Sequence, residues 1–476
     1  MEFLKSFFGY IDSLTWGWAL IPILVVFGVF ITIMSGLVQF RYFIRMFSVL
    51  SGKNQTADPN AISAREALLV SVGGRVGGGN IAGVAVAISV GGPGAVFWMW
   101  CIALVGMATS LVECTLAQVF KRSAGESIFR GGPADYIRHG LGKEYNWLAV
   151  VYAICLLAAF GLGFNAFQGN TVAGAVEGSL GVSRYVTGTI LTIVTALVIF
   201  GGIRRIAKAA DVIVPVMALG YLALAIGAIL INITEVPGVI SRIVSAAFGY
   251  EPAIAGGMGA AIAQGLRRGL FSNEAGLGSA PNVAATATVR HPMSQGITQS
   301  FSVFIDTIVI CSCTAFIILL SDSYVAGAEG IDGVVLTQHA LADHYGEWSR
   351  YGLTAAILLF AFSSIIYNVY LGENALAVVT RSKEAVLVLR AVILGLVFLG
   401  AVAPNATSVF FFSDPLMGVL ALVNLVAILM LFPTAMRVVR DYERQLRSGV
   451  DRPVFDPATF PDLDIDREAW DARHWK

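Results

Sequence analysis

Two glycine-rich stretches of apolar sequence carry the residues best suited to binding a small charged molecule. The first, GGRVGGGNIAG, spans residues 73–83, and the second, SNEAGLGSA, spans residues 272–280. Glycine disfavours a helix interior by roughly 1 kcal/mol relative to alanine. Lipid offers no partner for the backbone groups that an interrupted helix frees. We therefore expect a ligand to satisfy those groups.

An interrupted membrane helix can bind a carboxylate and a cation at the same time. The second half of such a helix presents free amides and the positive end of its dipole to a carboxylate, whereas carbonyls at the end of the first half face a cation. A glycine at the break lets a small ligand touch the backbone, because there is no Cβ. The chemistry predicted for these stretches is binding.

Other interpretations of the same residues compete with a ligand site. Gly79 and Gly83 have the small-xxx-small spacing of closely packed membrane helices. Gly77, Gly79 and Ala82 match a dinucleotide fingerprint, but that motif needs an acidic residue about 20 positions later, and the next acid is Glu113. The sequence has no H-E-x-x-H and no P-loop motif, so we expect that the protein is not an enzyme.

The composition indicates an all-α polytopic membrane protein. Of 476 residues, 57% are hydrophobic and only 13% are charged, and the mean hydropathy is +0.76. The balance of 31 basic and 31 acidic residues does not bear on nucleic-acid binding, and no nucleic-acid partner is expected. A scan for apolar runs of about 20 residues predicts about 11 transmembrane helices, near residues 15–40, 67–91, 93–120, 148–170, 185–203, 211–233, 253–287, 296–320, 352–372, 386–404 and 410–433.

Lysines and arginines are distributed unevenly between the two predicted faces. Most lie in alternate loops and in the tail after residue 433, whereas the other loops contain only Lys5, Arg184, Arg242 and Arg350. The positive-inside rule therefore predicts that the N-terminus is outside and the C-terminus is cytoplasmic.

The two glycine-rich spans lie five spans apart, which predicts an inverted repeat. An extra helix at 15–40 would precede repeat one at 67–233 and repeat two at 253–433, and these make up one transporter domain at 1–433. A cytoplasmic tail at 434–476 would follow. Units with an odd number of crossings run in opposite directions, and two discontinuous helices in such units are typical of secondary transporters.

Several charges lie within or at the edges of the predicted spans and cannot face lipid, because each would cost roughly 2.5 to 3.5 kcal/mol there. Arg75 is a candidate inner gate. Glu274 could pair with Arg267 or Arg268, or could have a direct ion or gating role. Glu113 and Asp306 are either structural hydrogen-bonding groups or part of the transport path.

Four motifs resemble the alanine or glycine:cation symporters of bacteria and archaea. They are GRVGGGNIAGVA (74–85), GGPGAVFWMW (91–100), FNAFQGN (164–170) and RGLFSNEAGLGSAPNVA (268–284). The resemblance covers about residues 15–435. It implies the leucine-transporter-like fold of the amino acid-polyamine-organocation superfamily. It also implies Na⁺-driven symport of alanine or glycine by alternating access across the bacterial inner membrane.

The resemblance also assigns binding residues. The amides of Gly78 and Gly79 would hold the substrate carboxylate, and Phe271 would limit the size of the substrate side chain. The other substrate contacts would come from Asn80, Asn165, Gln168, Ser272 and Asn273. A Na⁺ site would use carbonyls near Gly73 and Val76 and the hydroxyls of Ser363 and Ser364. No organic cofactor is implied.

One departure from the family pattern affects the site. The family commonly has threonine where this sequence has Gly78, and the alternatives for the loss of that hydroxyl are a larger site, a weaker affinity or an altered ion contact. The alternatives left open are H⁺ coupling, another small amino acid as substrate and an ion channel. The sequence leaves the enantiomer preference, the ion stoichiometry and the oligomeric state open.

Overall fold

The computed structural model describes residues 2–50, 61–125, 128–200, 202–250, 257–324, 333–403 and 407–471. Helices dominate this part of the chain. A short antiparallel ladder pairs Arg122–Ser123 with Phe129–Arg130.

The helices of the first half, in chain order and including short π and 3₁₀ segments, are Glu2–Asp12, Ser13–Ala19, Leu20–Met34, Val38–Arg41, Phe43–Leu50, Ala64–Arg75, Gly79–Gly83, Val84–Gly91, Gly94–Val119, Pro133–Tyr136, Ile137–Leu141, Lys143–Tyr145, Asn146–Leu156, Leu157–Phe164, Asn165–Leu180, Arg184–Ile199 and Gly202–Ile231. Those of the second half are Val236–Ala247, Gly257–Asn273, Ser279–Ala284, Pro292–Val303, Phe304–Cys311, Ser312–Leu319, Gly333–Tyr345, Trp348–Val379, Lys383–Val402, Thr407–Arg447, Pro457–Thr459 and Glu468–Trp470.

In the described part of the chain, eight helices are long and apolar enough to cross a membrane, and a bent pair makes up to nine. Arg184–Ile199 is apolar but has only 16 residues. Val236–Ala247 and Gly333–Tyr345 lie in predicted loops, and the last helix continues past the predicted end at 433 to Arg447.

The first glycine-rich stretch interrupts a helix, as predicted. Helix Ala64–Arg75 ends before an extended residue, Val76, and a π-helical turn, Gly79–Gly83, starts the second half. The two halves are bent by 52°. A capping box at Ser63 and Glu66 fixes the start of the first half.

The second glycine-rich stretch is also interrupted. Helix Gly257–Asn273 stops before Glu274, and the helix resumes at Ser279. Glu274 adopts φ 54°, and Gly276 and Gly278 adopt φ 83° and 82°. Left-handed backbone is unfavourable for a residue with a Cβ, so the surrounding packing must hold Glu274 in this conformation.

Small residues let the helices around the breaks pack closely. A Cβ on Gly269 would overlap the backbone or side chains of Met99 and Ile102 on helix Gly94–Val119, and a Cβ on Gly296 would overlap Thr115 on the same helix. Close approach through small residues is the usual way in which membrane helices associate. Helix Gly94–Val119 thereby holds both the second broken helix and helix Pro292–Val303 in fixed positions.

The chain after Arg447 folds back onto one face of the bundle. Phe455, Phe460 and Trp470 are buried, and the amide of Phe455 donates to the carbonyl of Arg290 over 2.8 Å. Trp470 lies over the ammonium group of Lys121 at 4.3 Å. The predicted division into a transporter domain at 1–433 and a tail at 434–476 stays a prediction.

Candidate functional site

The amides freed in the first break donate to side-chain carbonyl oxygens. Gly78 N donates to Gln168 Oε1 over 3.2 Å, and Gly77 N donates to Asn80 Oδ1 over 3.0 Å. The side-chain oxygen of Gln168 thus accepts from one of the backbone amides that the break frees. The structure brings Gly78, Asn80 and Gln168 together, as the resemblance implied.

Gly78 and Gly79 of the first break leave little room for side chains, whereas Gly83 does not limit them. A Cβ on Gly78 would lie 2.9 Å from Thr171 Oγ1, and a Cβ on Gly79 would lie 3.2 Å from the Phe271 ring. A Cβ on Gly83 would meet nothing within 4 Å. Close packing therefore explains why residue 79 is glycine. It does not explain Gly83, so the two glycines do not act together as a small-xxx-small packing motif.

An aromatic stack forms one wall beside Gly79. The ring of Phe271 stacks on Phe164 with centroids 4.7 Å apart, and Phe164 stacks on Phe160 at 4.5 Å. Phe167 meets Phe271 edge-on at 5.7 Å. Because these rings hold one another, Phe271 is a rigid boundary of the space beside the break.

Asp306 joins the two broken helices, and the sequence analysis did not place it in the site. Its Oδ1 accepts from Asn80 Nδ2 over 2.7 Å, and its Oδ2 accepts from Ser272 Oγ over 2.7 Å. Thr307 Oγ1 also donates to Oδ2 over 2.7 Å. An acidic residue inside an apolar run was the only signal in the sequence, and it gave no partner.

The four residues of the predicted Na⁺ site are buried, and three of them are in direct contact. Ser363 Oγ donates to the carbonyl of Gly73 over 2.6 Å, and Ser364 Oγ lies 3.5 Å from the same oxygen. Both hydroxyls also donate to Phe360 O in their own helix, which is the common behaviour of serine in membrane helices. Val76 is the residue at which the first half of the broken helix ends.

Side chains bond to the backbone of the second break, and the sequence analysis did not predict the bond made by Glu113. Asn273 Oδ1 accepts from the amide of Ala275 over 3.0 Å. The amide of Gly276 donates to Glu113 Oε1 over 3.2 Å, and Asn424 donates to Glu113 Oε2 over 3.0 Å. Glu113 therefore supports the backbone of the break from a neighbouring helix.

The predicted pairing of Glu274 with an arginine is wrong. Glu274 instead accepts from the hydroxyl of Ser279 and, over 3.3 Å, from that of Tyr367. Arg267 and Arg268 both pair with Asp414, at 2.9 and 3.2 Å. The two arginines thus share a carboxylate on the last helix, and Glu274 bonds to hydroxyl groups.

Arg75, the candidate inner gate, and Asn165, a candidate substrate contact, both bond to other parts of the protein. Arg75 is buried and donates to Ser302, while its Nε and Nη2 have no partner among the described residues. Asn165 Nδ2 donates to the carbonyls of Phe160 and Gly161 in its own helix. We therefore assign Asn165 to the support of the π-helical segment that ends before it.

The family model that describes the sodium:alanine symporter family matches residues 1–457. The chain belongs to this family. It is therefore a multi-pass membrane protein of the secondary active transporter class, as the motifs implied.

Curated relatives match the symporter over nearly its whole length. The amino-acid carrier protein AlsT of Bacillus subtilis is 45% identical and covers 99% of this chain and 98% of its own. The probable sodium/glutamine symporter GlnT of the same organism is 44% identical, over 95% and 94%. The sodium/alanine symporter AgcS of Methanococcus maripaludis is 35% identical, over 90% and 95%.

A solved structure shows the fold. MhsT in complex with L-phenylalanine has a TM-score of 0.55, covering 82% of this chain and 99% of its own at 13% identity. The predicted leucine-transporter-like fold class, all-helical with two discontinuous helices, is thereby confirmed. The number of crossings and the inverted repeat are consistent with it and stay predictions.

Proposed function

We propose that this symporter carries alanine or glycine into the cell together with Na⁺, by alternating access around the two breaks. The observation that carries the proposal is the contact between Gly78 N and Gln168 Oε1. This amide already holds an oxygen acceptor, and a substrate carboxylate would replace that acceptor. The amide of Gly79 would complete the carboxylate site.

The aromatic wall supports a small substrate. Phe271 lies close beside the backbone of Gly79 and is fixed by its stack with Phe164. A side chain larger than a methyl group would have to displace this stack. Asn80, Ser272 and Asn273 would contact the polar groups of the substrate, with Gln168 moving from the Gly78 amide to the ligand.

The coupling ion would bind where the first break meets helix Trp348–Val379. Ser363, Ser364 and the carbonyl of Gly73 present oxygen atoms to one another, and the carbonyl of Val76 would add a further ligand. Oxygen donors of this kind suit a hard cation such as Na⁺. The hydroxyls would turn their hydrogens away from the ion when it binds.

The driving force is sufficient for concentrative uptake. One Na⁺ entering across about 100 mV releases roughly 2.3 kcal/mol, and a tenfold inward Na⁺ gradient adds about 1.4 kcal/mol. Together these sustain several hundredfold accumulation of a neutral solute. We place the N-terminus outside and the C-terminal segment in the cytoplasm of a bacterial cell, on the distribution of lysine and arginine.

The experiment is uptake into proteoliposomes of labelled alanine, glycine, serine and glutamine, each with an inward Na⁺ gradient, with a proton gradient only, and with neither. The proposal expects alanine or glycine to accumulate above equilibrium only with Na⁺. Accumulation with the proton gradient alone would establish H⁺ coupling instead. Glutamine as the preferred substrate, or equilibration without accumulation, would contradict the proposal.

A further inference from the structure

A cavity of about 370 Å³ lies on the face of the bundle that carries the C-terminal segment. Residues of the 121–139 connection and of the end of helix Trp348–Val379 form it, together with Arg381, and none of its lining residues belongs to either glycine-rich break. Its charged lining residues are Arg122, Arg130, Asp135, Arg138, His139 and Arg381.

The arginines of this cavity are only partly neutralised by the described part of the chain. Arg122 pairs with Asp464, and Asp135, which also lines the cavity, attracts Arg138, Arg122 and Arg130. Arg130 and Arg381 are exposed and form no ion pair with any described carboxylate. Arg122 Nε is buried without a hydrogen-bond partner there. Arg138 donates only to neutral oxygens, Oδ1 of Asn146 and the carbonyl of Val378. The cavity therefore has donors and positive charge left for a ligand.

An oxyanion already lies at the edge of the cavity. Asp464, from the C-terminal segment, accepts at Oδ2 from Arg122 over 3.0 Å and contacts His139 Nδ1 at 2.6 Å. Charge-assisted bonds from guanidinium groups are among the strongest contacts to carboxylate and phosphate oxygens. The contacts of Asp464 show that Arg122 and His139 at the edge of the cavity bind an oxyanion.

Membrane topology alone does not explain the arrangement. The positive-inside rule requires basic residues near one face but no particular grouping. Arg444 and Arg447, on the last helix, pair within their own helix with Asp441 and Glu443. The cavity arginines instead come from separate segments of the chain and converge on one space.

Exposed apolar residues follow, in the chain, the two residues that Arg138 contacts beside the cavity. Arg138 bridges Asn146 and Val378, and the next residues in the chain are Trp147 and Val379. Trp147 is 63% exposed and Val379 is 60% exposed. Exposed apolar side chains beside a basic pocket at a helix end are the setting in which membrane proteins hold lipid head groups.

We propose that this cavity is a phosphate-binding site, in which Arg122, Arg130, Arg138 and Arg381 hold the phosphate oxygens. The phosphate comes from an anionic phospholipid of the same leaflet or from free phosphate in solution. Arg130 and Arg381, which have no described ion partner, make the first contact. The site is separate from the substrate site, so the proposal does not depend on which amino acid is carried.

The test compares retained lipid by native mass spectrometry. Protein in detergent is incubated with equal amounts of phosphatidylglycerol and phosphatidylethanolamine, and in a second arm its melting temperature is measured with added inorganic phosphate. The variant is Arg130→Gln/Arg381→Gln. The matched control, Arg440→Gln/Arg447→Gln, removes the same charge from the last helix. Arg130→Lys/Arg381→Lys keeps the charge but loses the planar fork.

A lipid site predicts preferential retention of phosphatidylglycerol that falls roughly tenfold or more in the glutamine variant. The Arg130→Lys/Arg381→Lys variant should retain part of the phosphatidylglycerol, and the Arg440→Gln/Arg447→Gln control should retain as much as the wild type. A free-phosphate site predicts instead a phosphate-dependent rise in melting temperature, lost in the same variant, with no lipid preference. Equal behaviour of the glutamine variant and the control in both arms would overturn the proposal. A folded elution profile for each variant excludes misfolding.

Discussion

The side-chain amide of Asn80 donates to Asp306 Oδ1 over 2.7 Å. Asn80 lies at the start of the second half of the first broken helix, and the same carboxylate accepts from Ser272 on the second. The two breaks are thus joined through one buried acidic side chain. Any movement of one broken helix past the other must lengthen or remake these bonds.

Replacing Asp306 with asparagine should impair transport strongly. The change keeps the shape but removes the charge and one acceptor, so the hydroxyls of Ser272 and Thr307 can no longer both donate to Oδ2 while Asn80 donates to Oδ1. An unsatisfied buried polar group costs about 1 to 3 kcal/mol, and we expect alanine uptake to fall about tenfold. Asp322→Asn, an exposed acid on the same half of the chain, is the control. Wild-type uptake by the Asp306 variant would show that the bonds are dispensable.

Gly78→Thr should lower substrate affinity, although the family commonly has threonine at this position. A Cβ there would lie 2.9 and 3.0 Å from Oγ1 and Cγ2 of Thr171, and overpacking of this kind costs about 1 to 3 kcal/mol. Adding Thr171→Ala should restore affinity, because it frees that space. Isothermal titration of the single and double variants with alanine measures both effects. A double variant no better than Gly78→Thr would mean that Thr171 does not occupy the place of the missing side chain.

Replacing Ser363 and Ser364 together with alanine should raise the Na⁺ concentration that half-saturates uptake by tenfold or more. The variant removes two of the oxygen ligands that we assign to the ion. Thr192→Ala is the control, because Thr192 makes the same bond to its own helix, to Gly188 O over 2.8 Å, outside the site. If the serines served only their own helix, both variants would show the wild-type dependence on Na⁺.

Acid should release the C-terminal segment from the bundle. A hydrogen bond from Arg437 lowers the pKa of Asp462 to about 2. For Asp464, burial alone would raise the pKa, but the hydrogen bond from His139 and the charge of Arg122 lower it overall. A carboxyl group whose pKa is lowered by a contact stabilises that contact above its ordinary pKa and loses the effect as the pH falls towards the lowered value.

We therefore expect amide hydrogen exchange in residues 455–471 to be slow at neutral pH, and its protection to decrease, after correction for the intrinsic rate, from pH 4 downwards. Asp462→Asn/Asp464→Asn should show the faster exchange already at neutral pH. Protection that is independent of pH in both proteins would mean that the buried Phe455, Phe460 and Trp470 side chains hold the segment without the ion pairs.

Hydropathy and glycine content predicted both breaks, because lipid leaves few reasons for glycine clusters in an apolar run. The bond from the Gly77 amide to Asn80 within the first break was not predicted, although it is local. The partners of Asp306 and Glu113 could not be predicted in this way. The contact of Asp306 with Asn80 joins residues 226 positions apart and that of Glu113 with Gly276 joins residues 163 apart, and no periodicity records such pairs.

The helix Gly333–Tyr345 and the folded C-terminal segment were missed for a different reason. Both contain charged and polar residues among their apolar ones, which is typical of a loop or tail when the surface on which they pack is unknown. Phe455 and Trp470 are buried only because other parts of the chain, including Lys121 and His291, lie against them. Tertiary packing, rather than local preference, determines these elements.

The most direct test of the proposed site is Na⁺-driven alanine uptake by Gly79→Val compared with Gly83→Val. Both substitutions add the same side chain to the same π-helical turn, but a Cβ at Gly79 would lie 3.2 Å from Phe271, whereas one at Gly83 would meet nothing within 4 Å. We predict that Gly79→Val inserts normally and neither binds nor transports alanine, while Gly83→Val transports it. Wild-type uptake by Gly79→Val would contradict a substrate site at the backbone of the first break.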